Sequence, residues 1–225
     1  YKIICIILLI ILIGIVAVWG YRIIVENRAN SKYEEIQNTV NSAAKQAETE
    51  AVIIETETEE ETETETEEVQ NAFDIPEKNL DWTSLYEENK DIYAWIYIPG
   101  TQVDYPVLQN AADDTYYLNH NIDGSYGKPG CIYTEKINSK DFTNYNTVLY
   151  GHNMKNLSMF GKLKYYNRDE SYYDEHQYFQ ILVDGKKYRY QIFSYETVDD
   201  SSEEYTVGFE PDETFGKFVD RMTNS

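Results

Sequence analysis

Residues Tyr178–Tyr195 read YFQILVDGKKYRYQIFSY. The run Tyr178–Val183 is apolar and aromatic, the run Tyr188–Tyr195 is of β type, and Asp184-Gly185 stands between them. An Asp-Gly pair between two such runs predicts a hairpin, because glycine takes the backbone conformation a tight reversal needs. Lys186 and Lys187 fall at or near the turn. Outward from this hairpin the same texture repeats in Tyr93–Ile98 (YAWIYI), Val103–Val107, Cys131–Thr134 and Thr147–Tyr150. Pro99-Gly100, Asp123-Gly124 and Pro129-Gly130 supply turn chemistry between them. Helices are expected at Asp81–Lys90, with Asp81 as N-cap and Leu85 on the apolar face, and at Ser158–Tyr166 running into Asp169–Glu175. A further helix is expected at Pro211–Met222, opening with proline at its first position and two acids in its first turn. The fold class is therefore mainly β, a barrel or sandwich with peripheral helices.

Composition narrows the function. The 225 residues carry a net charge of −21, with 5 basic and 14 acidic side chains in residues 1–70 and 14 and 26 in the remainder. A surface of that sign repels phosphate backbones, so nucleic acid is excluded as a partner. Two cysteines, Cys5 and Cys131, make neither a disulfide framework nor a thiolate metal cage.

Residues 1–72 are not part of the expected globule. Ile3–Tyr21 holds 19 residues without a charge, enough for a helix of roughly 28 Å against a hydrocarbon core of ~30 Å. Trp19 and Tyr21 stand where interfacial aromatics belong. The run is too long for a cleaved signal peptide and no small-residue cleavage site closes it. Residues 1–22 are read as a transmembrane signal-anchor, whose orientation the basic residues do not decide. Residues 23–72 are read as a juxtamembrane segment, with Arg22–Ala51 expected as a helix, followed by an acidic stalk. Glu55–Glu68 holds nine Glu and five Thr; it has nothing to bury and repels itself, so an extended, disordered spacer is expected rather than a calcium site. Residues 73–225 form the domain.

Three histidines and one downstream cysteine can carry chemistry. His152, in Asn146–Met154 (NTVLYGHNM), follows a β-run and a glycine, where a side chain is held by the sheet yet faces solvent. Its imidazole can accept and donate a proton in one cycle, though a hydrogen-bonded structural histidine in a turn fits the same spacing. His120, in YYLNHN, is read as structural or at a site's edge, and His176, after Tyr173-Asp174-Glu175, as a surface residue. No spacing supports a three-histidine metal site. Cys131 opens a predicted strand; paired with His152 it would make a nucleophile, but the buried small-residue reading is favoured.

The ordered series Ala94–Val107 (AWIYIPGTQVDYPV), Tyr116–His120 (YYLNH), Gly130–Tyr133 (GCIY), Asn146–Met154, Ser158–Phe160 (SMF) and Phe193-Ser194 resembles the class B sortases, membrane-anchored cysteine transpeptidases of Gram-positive cell surfaces. The resemblance covers Asn79 to the end. It implies a closed eight-stranded sortase-type β-barrel with an N-terminal helical extension, outside the cell and anchored by a single-pass helix whose N-terminus is inside. It implies a thiolate that attacks the Thr carbonyl of a C-terminal sorting motif on surface proteins, and a thioester resolved by an amine from a peptidoglycan cross-bridge or a pilin. The family's histidine falls on His152, as general acid and then base, and no cofactor or metal is implied. Leu118 matches a groove-lining leucine, and Tyr205 and Thr206 match the loop that covers the sorting peptide. The family's Thr-Leu-x-Thr-Cys strand and its arginine strand correspond to positions after Ser225. The chain is therefore expected to be a fragment lacking the last barrel strands and inactive by itself, with Cys131 no substitute. The alternatives are a non-catalytic membrane-anchored surface module that binds a protein or glycan through its aromatics, and a Cys131–His152 hydrolase.

Overall fold

The computed structural model describes residues 2–56, 78–199 and 201–224, with side chains of 42–56 excepted. Five strands form one sheet in the order β3-β2-β1-β4-β5: β1 Ile92–Tyr97, β2 Asp104–Leu108, β3 Ile132–Tyr133, β4 Tyr178–Val183 and β5 Lys186–Gln191. The β1–β2, β1–β4 and β4–β5 pairs are antiparallel and β2–β3 is parallel. The expected hairpin is β4–β5, with Gly185 at φ 75° in its turn. Strand β5 pairs from Lys186 and stops at Gln191, earlier at both ends than the run expected at Tyr188–Tyr195.

Among the described residues the sheet is mixed and open, not the closed eight-stranded barrel expected. Thr147–Tyr150, expected as a strand, contributes one reciprocal bridge: Tyr133 N–H donates to the Tyr150 carbonyl at 3.0 Å and Tyr150 N–H to the Tyr133 carbonyl at 2.8 Å. The pairing does not extend because the neighbouring Val148 N–H goes to Asn138 Oδ1 instead. The expected helix at Ser158–Tyr166 is a 3-10 helix over Phe160–Asn167. Helices α2 (Trp82–Glu88), α3 (Tyr116–Asn119), α4 (Glu170–Glu175) and α5 (Glu213–Thr223) complete the domain. Asp81 caps α2 as expected, its carboxylate accepting from Ser84 N–H at 3.2 Å. In α5 the cap is Asp212, which accepts from Thr214 and Phe215, so Pro211 lies before the helix rather than at its first position.

The N-terminal segment is one helix, α1, Lys2–Thr56. Its first part is apolar on all sides and exposed, whereas Ala29, Tyr33, Ile36 and Val40 are buried. Their spacing of four, three and four places them on one stripe. Tyr33, Ile36 and Val40 join the core of Ile92, Trp95, Val107, Leu108 and Ile132, each fully buried side chain of this size contributing about 1.5–3 kcal/mol. Of the acidic run expected as a spacer, Glu55 and Thr56 end α1 and residues 57–68 lie outside the described residues.

Where β1 and β2 meet α1, a buried cation is fully engaged. Lys78, 5% exposed, donates to Asp104 Oδ2 at 2.8 Å and Asn41 Oδ1 at 2.7 Å, and lies over the Tyr97 and Trp95 rings. Trp95 Nε1–H donates to the other Asp104 oxygen at 2.6 Å. Every charge removed from water here has a partner, the condition under which burial of ions is tolerated.

Candidate active site

His152 stands two residues beyond the Tyr133–Tyr150 bridge. Gly151 makes that position accessible: a Cβ there would overlap Ile132 Cδ1 and come 2.7 Å from the Phe160 ring. The turn therefore lies flat on the core, and the His152 carbonyl secures it by accepting from Met154 N–H and Phe160 N–H, both at 3.1 Å. Beyond it, Asn153 and Met159 bridge across a loop in which Leu157 and Met159 take positive φ, 70° and 51°. Non-glycine residues are uncommon in that region, so the loop is held there by its contacts, among them Met159 N–H donating to Tyr105 Oη at 3.2 Å.

The His152 ring is half-buried, and its pKa lies below the ordinary 6.5. Burial is the largest cause and the neighbouring Lys128 cation adds to it, while the Pro129 backbone pulls weakly the other way. The ring is a neutral base at pH 7, and its protonated form is a stronger acid than ordinary imidazolium.

A cavity of about 610 Å3 opens beside this turn, between the 3-10 helix and the sheet. Leu149 and Asn153, on either side of His152, line it with Ile96, Phe160, Leu163 and Tyr205. Such a cleft, mostly apolar with a few polar groups, can take up an apolar part of a ligand.

The expected site residues reach this region unequally. Tyr205 lines the cavity and stacks on Tyr150, ring centroids 6.2 Å apart and planes within 4°. Thr206 secures the same loop through its backbone, its carbonyl accepting from Asn146 Nδ2 at 2.6 Å. Leu118, 40% exposed, is not on the cavity wall. Its carbonyl oxygen would be 2.9 Å from a Cβ at Gly130, next to Pro129.

The other candidates go elsewhere. Cys131 is 1% exposed, its Sγ lies 3.1 Å from Tyr33 Oη, and its thiol donates to the His120 carbonyl at 3.4 Å. Burial pushes its thiol up to about 12, so no thiolate forms at neutral pH. The buried reading of Cys131 holds, and the Cys131–His152 hydrolase loses its nucleophile. His120 stacks on Tyr116 at 3.9 Å and bonds its carbonyl. His176, expected on the surface, is half-buried: its Nδ1 lies 3.0 Å from the Pro99 carbonyl and its ring packs over Gly100. The three imidazoles do not converge. The sequence reading missed Lys128 as a charge acting on His152, and missed Phe160 and Leu163 as cavity walls. For the latter pair the i, i+3 apolar spacing was the available signal.

Comparison with known proteins supplies the context. The family profile of the sortase domain matches residues 96–216. The chain is 38% identical over 117 residues to sortase B of Listeria monocytogenes, covering 52% of this chain and 47% of that protein. It is 33% identical over 137 residues to sortase B of Staphylococcus aureus, 61% and 55% of the two chains. It spans about half the length of the curated relatives it matches. Among solved structures, the Staphylococcus aureus sortase B–substrate complex superposes with a TM-score of 0.67 at 26% identity, over 88% of this chain and 78% of the other. Sortase B of Bacillus anthracis, in complex with AAEK1, gives a TM-score of 0.63 at 26% identity, over 88% and 79%.

Proposed function

Because this chain belongs to the sortase family, and to its class B branch by the relatives just described, we propose that it serves a cysteine transpeptidase at the cell surface. In this reading a thiolate attacks the Thr carbonyl carbon of a sorting motif, the C–N bond breaks, and a thioester forms with release of an amine. A peptidoglycan cross-bridge or pilin amine then attacks the thioester and restores the thiol. His152 accepts the thiol's proton, gives it to the leaving amine, and takes one from the incoming amine. A depressed pKa favours the donation, because an imidazolium held against burial and the Lys128 cation gives up its proton readily. Tyr205 lines the cavity that receives the sorting peptide, the Thr206 carbonyl holds that loop, and Leu118 contacts the peptide outside the cavity. Helix α1 anchors the protein by one pass with its N-terminus inside and the domain outside.

Cys131 cannot act as nucleophile here. The attacking thiolate belongs to the family's Thr-Leu-x-Thr-Cys strand, which by resemblance would follow α5, as would the family's arginine. The 225 residues by themselves are accordingly proposed to be inactive. The observation that carries the proposal is the pairing of a half-buried, neutral His152 with an apolar cavity bounded by its own sequence neighbours. The test is a transpeptidation assay on the gene's full product with a fluorescent sorting peptide and an amine acceptor. His152→Ala should abolish turnover and leave the thermal midpoint nearly unchanged, and retained turnover would overturn the assignment. A non-catalytic surface module instead predicts peptide binding without any thioester, which mass spectrometry of the trapped enzyme would decide.

A further inference from the structure

Four contacts set the height of the domain along α1. At Gly127 an added Cβ would sit 3.0 Å from Val25 Cγ1. Tyr33 Oη–H donates to the Gly130 carbonyl at 2.7 Å, and Gln37 Nε2–H donates to the Asp104 carbonyl at 2.6 Å. Lys78 donates to Asn41 Oδ1 at 2.7 Å. These contacts climb the helix in sequence order, so the domain runs beside α1 with the Asp123–Lys128 loop at its lower end and Lys78 at its upper end. With 1.5 Å of rise per residue, Val25 is only about 6 Å above Tyr21, inside a headgroup layer of about 5–8 Å per leaflet.

The lower loop presents side chains suited to that layer. Tyr126 is 70% exposed, and Lys128 and the nearby Arg28 of α1 are exposed as well. Tyrosine is enriched at the membrane–water interface, and cations there meet lipid phosphates. Asp123, the loop's acid, accepts from Ser125 N–H and Oγ–H at 3.0 and 2.6 Å.

The upper contact has a topological consequence. Asn41 and Lys78 touch, so the residues that flank the 42–77 segment meet at one place. Whatever its path, that segment adds no distance between α1 and the sheet.

We infer that the domain is seated on the bilayer surface, with the Asp123–Lys128 loop in the lipid headgroup layer, and that the acidic segment is not a stalk setting its height. The inference rests on the reading of α1 as a membrane anchor and goes beyond it. It places the lower loop, and with it the His152 turn that Lys128 and Pro129 adjoin, close above the lipid.

The test uses the 225-residue chain in vesicles that carry nickel-chelating lipid headgroups. In a Cys5→Ser background, a spin label is placed at Tyr126→Cys or, for comparison, at Lys186→Cys, beside Lys78 at the upper end. The nickel headgroups should relax the label at position 126 several-fold more than the label at 186. Inserting seven residues after Arg22, two helical turns and about 10 Å, should abolish the difference. Deleting Glu59–Glu68 should leave it unchanged. Equal, weak relaxation at the two positions, or a difference that shrinks with the deletion, overturns the inference. Alkaline carbonate separates the two claims. Release of the unmodified chain overturns the anchor and this inference together, whereas retention with a weak signal at 126 overturns this inference alone.

Discussion

Two stretches of α1 bury in inverse order of their hydrophobicity. Ile3–Tyr21 is apolar on every side, and its side chains lie mostly 50–75% exposed. From Ala29 to Val40 most residues are polar, yet Ala29, Tyr33, Ile36 and Val40 are 1–7% exposed. A helix apolar all round cannot hide in a domain that offers one face, so it requires a surrounding apolar solvent, whereas a single stripe is satisfied by one sheet. Total hydrophobicity reports which solvent a helix needs. Its angular distribution reports whether protein covers it.

That contrast can be broken from either side. The largest effect is expected from Leu9→Arg with Ile13→Arg, which puts two charges at bilayer depth and costs insertion about 5–7 kcal/mol. Carbonate extraction should then release the chain while the domain's melting transition stays in place. Next comes Lys78→Ala, which strands the Asp104 carboxylate, 15% exposed, without its cation. A loss of about 3–5 kcal/mol in urea unfolding is expected for an ion left unpaired in such surroundings. Lys217→Ala, which removes an exposed pair with Glu213, should leave the midpoint where it was. Tyr33→Phe keeps the packed stripe but leaves the buried Gly130 carbonyl without its donor, and should cost about 1–2 kcal/mol with membrane retention unchanged.

A further small effect concerns surroundings rather than contacts, at His152. Its folded pKa is below 6.5, so below pH 6.5 the unfolded chain takes up the proton first and stability falls as pH drops through the folded value. Above 6.5 both states are neutral and the residue contributes no pH dependence. His152→Gln should flatten that acid-side decline slightly, and imidazole chemical shifts should show a midpoint lower than for an exposed histidine.

Much of this molecule is legible from short stretches. Tyr178–Val183 is the bounds of β4 itself, Asp184-Gly185 is the turn, and Asp81 caps α2, because each depends on residues within a few positions. The stripe on α1 escaped because its four apolar residues are diluted among charges and gain meaning only opposite a sheet. Thr147–Tyr150 has strand composition, but Asn138 takes a backbone donor that a strand would need. His176 follows acids and looks superficial, yet the Pro99-Gly100 turn lies under its ring. The His152 position could be singled out from its motif; its depressed pKa could not, since burial, its largest cause, and Lys128, 24 residues away in the chain, act only through the fold.

Sequence alone determined the hairpin, the apolar helix and the family, since each is written in local pattern or in an ordered series of motifs. Only the tertiary structure decided that Cys131 is an inert, protonated thiol, that His152 rests neutral beside a cavity, and that α1 carries the domain at a set height. These outcomes turn on burial and on fields between groups such as Tyr33 and Gly130, 97 residues apart, and no local preference encodes which distant atoms exclude the water.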